Sequence, residues 1–254
     1  IVAHVDHGIR GEASAADARF VAALAARYGL PFVSTQLKLG PNASEATARE
    51  ARYDFLLDTA AQYQAPVVTA HHLDDLVETV ALNLVRGTGW RGLAVLNRPG
   101  VERPLLGWRK ADIRAYALAH HLEWVEDETN ASDRYTRNRL RRSIQRLLTA
   151  EQAAQITALR DRQLALRHTI NDEVQHLLPQ FAAQRHGLIM IDEASAQELL
   201  GAMIMWAGAP RPTRPRLERA VLAIKTARPG SRHVVGDGVY LQFSPRQFTV
   251  EVVQ

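Results

Sequence analysis

The chain has 254 residues, 46% of them apolar and 23% charged, a formal net charge of +4 and no cysteine. That length suits one large domain or a main domain with an appendage. The missing cysteine excludes disulfides, thiolate metal sites, thiol nucleophiles and iron–sulfur clusters, and no apolar run approaches the roughly 18 residues a membrane span needs.

The charge is unevenly placed. Residues 1–125 carry 13 basic and 13 acidic side chains, so the whole excess lies in 126–254. Only three of the 31 basic residues are lysine (Lys38, Lys110, Lys225). An arginine bias suits phosphate recognition, and it equally follows from genomic base composition.

Ile1–Val5 is a strand-like run, neither a signal peptide nor an initiator methionine, and it reads as a buried strand continued from upstream. Ser14 is expected to cap a helix whose apolar face carries Phe20, Val21, Leu24 and Tyr28 and which stops at Gly29. Pro31–Leu39 is extended, and Ser44 to about Gln64 is helical with Tyr53, Leu56, Leu57 and Ala60 on one side. Pro66–Ala70 reads as a strand feeding a helix that carries Val77, Val80, Ala81 and Leu84 and ends at Gly87-Thr-Gly89. A helix over about Lys110–His120 precedes a short strand at Leu122–Val125. Strands alternating with helices predict an α/β fold, a parallel sheet with helices on both faces. Ligands then sit beyond the carboxyl ends of the strands.

Farther on, Arg134 to Arg146 holds six arginines and no acid. Glu151–Leu178 predicts a long helix closed by Pro179. Leu188–Ile191 reads as a strand, Ala194–Ala207 and Pro215–Thr226 as helices, and three short strands after His233 as a terminal meander. The organisation expected is an α/β domain at 1–133, a basic helical linker at 134–179 and a small α+β C-terminal domain at 180–254.

The densest polar cluster is Ala70-His71-His72-Leu73-Asp74-Asp75-Leu76-Val77-Glu78-Thr79, at a strand-to-helix junction. An Asp at the helix start would cap free amides. That role occupies one acid and leaves two histidines, a second Asp and Glu78 to explain, so a site is expected here; a metal hydrolase is the competing reading. Val5-Asp6-His7-Gly8-Ile9-Arg10 is a second polar junction. On spacing alone, Arg49 and Arg52 read as an exposed helix face paired with Glu45. The arginine stripe reads either as a solvated linker or as an RNA-backbone contact.

These motifs resemble one family. V-D-H-G-I-R at 5–10, A-R-E-A-R-Y at 48–53, A-H-H-L-D-D-L-V-E-T at 70–79, R-G-T-G-W-R-G-L at 86–93, R-P-L-L at 103–106, W-V-E-D-E-T-N at 124–130 and Y-T-R-N-R-L-R at 135–141 are similar to the N-type ATP-pyrophosphatase (PP-loop) family, in its tRNA(Ile)-lysidine synthetase branch. The resemblance implies an adenine-nucleotide alpha-hydrolase-like fold and a cytoplasmic ligase. ATP adenylates the C2 oxygen of the wobble cytidine in tRNA(Ile) with a CAU anticodon, releasing pyrophosphate, and L-lysine then displaces AMP.

It implies ATP and Mg2+ as cofactors, no membrane partner, and admits a homodimer. His71, Asp75, Arg137 and Arg141 are implied to be catalytic, with Asp75 also on the metal. Asp6, His7, Arg49, Arg52 and Asp74 are implied on the nucleotide side, and Glu78, Asn138 and Arg139 on the substrate side. The family's Ser-Gly-Gly-x-Asp-Ser phosphate loop does not occur in these 254 residues, and Leu76 stands where the family commonly has Gln. The chain is therefore expected to be a piece of a longer enzyme, inactive without that loop, the alternative being a catalytically inactive RNA-binding remnant. A sulfur-transfer enzyme on the same fold would need cysteines.

Overall fold

The computed structural model describes residues 1–6, 12–37, 45–125, 148–181 and 184–253. The chain divides into two units, Ile1–Arg86 with Val95–Thr157, and Gly87–Ala94 with Ala158–Gln254.

In the first unit, β1 (Val2–Asp6) pairs in parallel with β2 (Phe32–Gln36), Val2 opposite Phe32 and Asp6 opposite Gln36. Joining them is α1 (Glu12–Arg27), which packs on both strands. This helix starts before Ser14, the residue expected to cap it. Glu12 opens it instead, in an ion pair with Arg19 at 2.7 Å, and Ser14 lies buried in its first turn. An acid in the first turn complements the positive end of the helix dipole. At the far end Gly29 sits at φ 64° while the Leu30 amide reaches back to the Ala25 carbonyl, the left-handed stop that glycine adopts without strain.

α2 (Glu45–Gln62) packs against β1 and against β3 (Val67–Val68). β3 pairs in parallel with β4 (Val101–Glu102), Val67 opposite Val101. Two residues are too few for an alternating pattern, so β4 was not expected. The parallel sheet is present as these two hydrogen-bonded pairs. α3 (Leu73–Val85) connects β3 to β4, and α4 (Lys110–Ala119) follows β4. The strand expected at Leu122–Val125 is not formed. Those residues are exposed and unladdered, because apolar side chains without a neighbouring strand do not hold extended pairing.

A long helix, α5 (Ala150–Phe181), begins at a reciprocal cap: the Gln152 amide donates to Thr149 Oγ1 at 3.1 Å and the Thr149 amide to Gln152 Oε1 at 3.1 Å. Pro179 lies inside its last turn rather than after it. One backbone bond is lost there, at a helix end where few remain to lose.

The second unit is built on that helix. α6 (Arg185–Met190) replaces the strand expected at Leu188–Ile191. Leu188 is 1% exposed, and the Arg185 guanidinium donates to the carbonyls of Ile224 (3.0 Å), Ala227 (2.8 Å) and Ser244 (3.2 Å), so tertiary contacts override the local β preference. α7 (Glu193–Trp206) and α8 (Arg214–Thr226) follow, capped at Asp192 and Thr213. The meander forms as expected: β5 (Arg232–Gly236), β6 (Val239–Phe243) and β7 (Phe248–Val252) make one antiparallel sheet. Leu200, Ile204, Val221, Ile224, Leu241 and Phe248 form the core between helices and sheet.

The 3-10 turn Trp90–Leu93 belongs to this unit. Arg91 donates to Glu198 at 2.8 Å and to Asn171 at 2.9 Å, and Arg211 meets the same Glu198 oxygen at 2.8 Å. Gly201 lets the Arg211 guanidinium lie against α7, since a Cβ there would stand 2.4 Å from Nη1.

Two helix ends carry a cost the sequence did not announce. Gln64 after α2 and His121 after α4 hold left-handed backbone at φ 51°, each with the amides of the same stop motif. Replacing Gln64 with glycine should raise unfolding free energy by about 0.5–1 kcal/mol, read from urea denaturation. A lower midpoint at an unchanged urea dependence would show that the Gln64 side chain stabilises the fold.

Candidate functional site at the start of α3

β3 delivers Thr69, Ala70, His71 and His72 to the point where α3 begins. Hydrogen bonds from Val67 N to Gly100 O (2.9 Å) and from Thr69 N to Glu102 O (3.0 Å) fix that approach. The residue at the cap position is His72, with extended backbone, and not either Asp. Asp75, three residues on, accepts from the His72 amide at 3.0 Å, and the Leu73 amide donates to the Trp108 carbonyl at 2.9 Å. The two aspartates then part company. Asp74 is buried and turned to Arg109 and Lys110, while Asp75 lines a cavity of about 340 Å³ together with Arg52, Tyr53, Leu56, Thr69, Ala70 and His71.

Within that cavity, His71 Nδ1 lies 2.8 Å from Thr69 Oγ1, which fixes the ring. Burial holds the His71 pKa below its ordinary value; Asp75 opposes that shift, and Arg103, Arg49 and Arg52 add to it. At neutral pH the imidazole is therefore uncharged. Three guanidiniums surround the Tyr53 ring: Arg98 at 4.3 Å, Arg49 at 5.2 Å and Arg52 at 5.8 Å from its centroid. Arg98 is held by Glu50 at 2.5 Å, which keeps the Glu50 carboxyl below its usual pKa.

Polar satisfaction sets this region apart. Among the described residues, four buried side-chain polar atoms have no hydrogen-bond partner: Tyr53 Oη, His72 Nδ1, Arg103 Nε and Gln163 Oε1. The first three belong to or adjoin this cavity. Tyr53 lines the cavity itself, while His72 Nδ1 stands 3.4 Å from Asp75 Oδ2. A larger cleft of about 750 Å³ lies in the second unit, but its Arg91, Arg211 and Glu198 already satisfy one another.

Of the residues expected at a site, the structure brings His71, Asp75 and Arg52 into one cavity and sets Arg49 beside it. Glu78 is buried one turn farther along α3. Asp6 is held at the end of β1 by Gln36, at 3.3 Å, and does not line the cavity. His7, Arg137, Asn138, Arg139 and Arg141 lie outside the described residues. Sequence reasoning passed over Tyr53, Thr69, Arg103 and Arg109. Tyr53 was placed on an apolar helix face, and only the motifs A-R-E-A-R-Y and R-P-L-L marked the neighbourhoods of Tyr53 and Arg103. Among the described residues no three His, Asp or Glu side chains converge as a metal site, and no helix is long and apolar enough to cross a membrane.

Parallel strand pairs with helical connections and a polar cluster at a strand's carboxyl end define the class, an α/β nucleotide-type fold. The family model described as "PP-loop domain" matches residues 1–148, and the chain belongs to that family. Curated relatives named tRNA(Ile)-lysidine synthase include one from Solibacter usitatus, 42% identical over 155 residues (59% of this chain, 35% of the relative). Another, from Thermus thermophilus, is 44% identical over 149 residues (56% and 29%). A third, from Aromatoleum aromaticum, is 35% identical over 242 residues (88% and 55%). The chain thus spans between about a third and a half of these relatives' lengths. Among solved structures it is similar to a U34-tRNA thiolase from Methanococcus maripaludis with a [4Fe-4S] cluster, at TM-score 0.53 and 19% identity, covering 64% of this chain and 60% of that one. That likeness is one of fold.

Three outcomes are expected from this geometry. The unfolded chain takes up a proton at His71 before the folded one does, so His71 withdraws stability as the pH falls below about 6.5. Asp75→Asn removes the carboxylate that raises the His71 pKa, so NMR titration of the ring should show a midpoint lower still; a rise would contradict the assigned contact. Tyr53→Phe deletes a buried hydroxyl that has no partner, so the melting temperature should hold or rise. A lower melting temperature would assign the hydroxyl to the fold.

Proposed function

We propose that this chain carries the nucleotide-activating part and an appended RNA-handling part of a tRNA(Ile)-lysidine synthase. The observation that carries this reading is the cavity at the β3–α3 junction, where His71, Asp75, Arg52 and unpartnered buried polar atoms converge within a PP-loop domain. Relatives bearing that name at 35–44% identity support it.

The chemistry demanded is activation followed by displacement. The cytidine C2 oxygen attacks the α-phosphorus of ATP and pyrophosphate leaves. The lysine ε-amine then attacks C2, and AMP leaves with the former C2 oxygen. Arginines 49 and 52 supply positive charge where phosphate charge develops, and neutral His71 is in the right state to accept a proton from the attacking amine. Asp75 is the one carboxylate lining the cavity, which suits a magnesium ion held mainly by phosphate oxygens and water. When bound, that ion neutralises charge on the triphosphate. Arg137, Asn138, Arg139 and Arg141 are proposed to meet tRNA, Glu78 to support the lysine side, and Asp6 and His7 to line the adenosine, whereas Asp74 is taken up by Arg109 and the Lys110 amide. A cytoplasmic location accompanies these substrates.

The test joins this chain to the family's strand and Ser-Gly-Gly-x-Asp-Ser loop and measures AMP release. Release should require ATP, lysine and tRNA together, and Asp75→Asn should lower it by about 100-fold or more with tRNA affinity nearly unchanged. AMP release indifferent to lysine, or none at all with tRNA binding intact, would leave an RNA-binding remnant as the correct reading.

A further inference from the structure

Asp74 does not behave as a ligand-facing acid. Its side chain is 7% exposed, and both oxygens are occupied. Oδ1 accepts from the Arg109 guanidinium, with Nε and Nη2 each at 3.2 Å, and Oδ2 accepts from the Lys110 amide at 2.7 Å. Its charge is already met inside the protein, so a substrate ammonium would have to displace a forked arginine to reach it.

Arg109 has a second attachment. Its Nη1 stands 3.4 Å from the carbonyl of Leu148, the residue just before the Thr149 cap that starts α5. In sequence, Leu148 is also where the chain leaves the arginine stripe of 134–146. The adjoining backbone completes the clamp: the Trp108 carbonyl takes the Leu73 amide and the Lys110 amide takes Asp74. Residues 108–110 therefore grip the first turn of α3 at successive positions. Because Asp74 and Asp75 are neighbours on that turn, holding Asp74 inward sets the rotation at which Asp75 meets the cavity and the His72 amide.

We propose that Arg109 is a positioning residue for the reaction: by fixing Asp74 and the Leu148 carbonyl together, it orients the His71–Asp75 pair and anchors the exit of the arginine stripe. Arg109 is not among the residues that line the cavity, and it acts through Asp74. Lysine cannot replace it fully, since an ammonium lacks the planar fork that spans a carboxylate and a carbonyl at once. This inference rests on the proposed function for its link to turnover, but not for its geometry.

The experiment has two arms. In this chain as it stands, hydrogen–deuterium exchange compares the wild type with Arg109→Ala. Amides of His72 to Asp75 and of Thr149 should exchange about tenfold faster, with those of β6 and β7 unchanged. In the lysidine-forming assay, Arg109→Ala should lower kcat about 10- to 100-fold while KM for ATP stays within about twofold, and Arg109→Lys should recover part of the loss. Asp74→Asn should reproduce the defect, and the double variant should be no worse than Arg109→Ala alone. Exchange that rises evenly through both units, kcat per folded molecule that does not change, or additive effects of the two substitutions would each overturn the proposal. Should the wild type itself release no lysine-dependent AMP, the functional reading fails while the exchange arm still decides the role of Arg109.

Discussion

A helix that starts inside a protein brings free backbone amides with it, and each needs an acceptor that water cannot supply. α3 meets that demand at the carboxyl end of β3. The Trp108 carbonyl takes the Leu73 amide, Asp75 reaches back to the His72 amide, and Asp74 is fastened to Arg109 and the Lys110 amide. The rest of the first unit is arranged around that junction. β4 exists to pair with β3, α2 supplies Tyr53 and Arg52 from the side, and the short segment 108–110 closes over the turn. An isolated buried carboxylate would be expensive, so Asp74 and Arg109 stand or fall together.

The same constraint separates roles within one dense cluster. Four of its polar side chains look alike on paper, yet they face different surroundings. Asp74 is neutralised, Glu78 is buried, His71 is kept uncharged by burial and neighbouring arginines, and Asp75 alone among the acids reaches the cavity. The unpartnered hydroxyl of Tyr53 lies on the cavity side of that junction. Positive charge from Arg49, Arg52 and Arg103, each of which lowers the His71 pKa, favours an anionic ligand there.

In the second unit a different buried arginine has the organising part. Arg185 closes the carbonyl ends of α8 and the β6–β7 turn, and its ring-stacked position over Phe243 ties α6 to the sheet. Those carbonyls come from segments about 40 and 60 residues away in the chain. No local pattern around residue 185 could announce them, which is why a strand was expected at Leu188–Ile191 where a helix forms.

Periodicity and turn chemistry alone determined the alternation from β1 to α3, the Gly29 stop, the terminal meander and the α/β class, because each depends on residues close together in sequence. The motif string likewise drew attention to the β3–α3 junction and pointed to the PP-loop family, which the match over residues 1–148 established. Tertiary structure alone decided which acid faces the cavity, that Tyr53 is part of it, that β4 completes β3, and that segment 87–94 belongs with the second unit. The physical reason is common to all four. Burial and hydrogen-bond satisfaction are properties of neighbours in space, and Asp74 becomes an anchor rather than a ligand only because Arg109, 35 residues away, reaches it first.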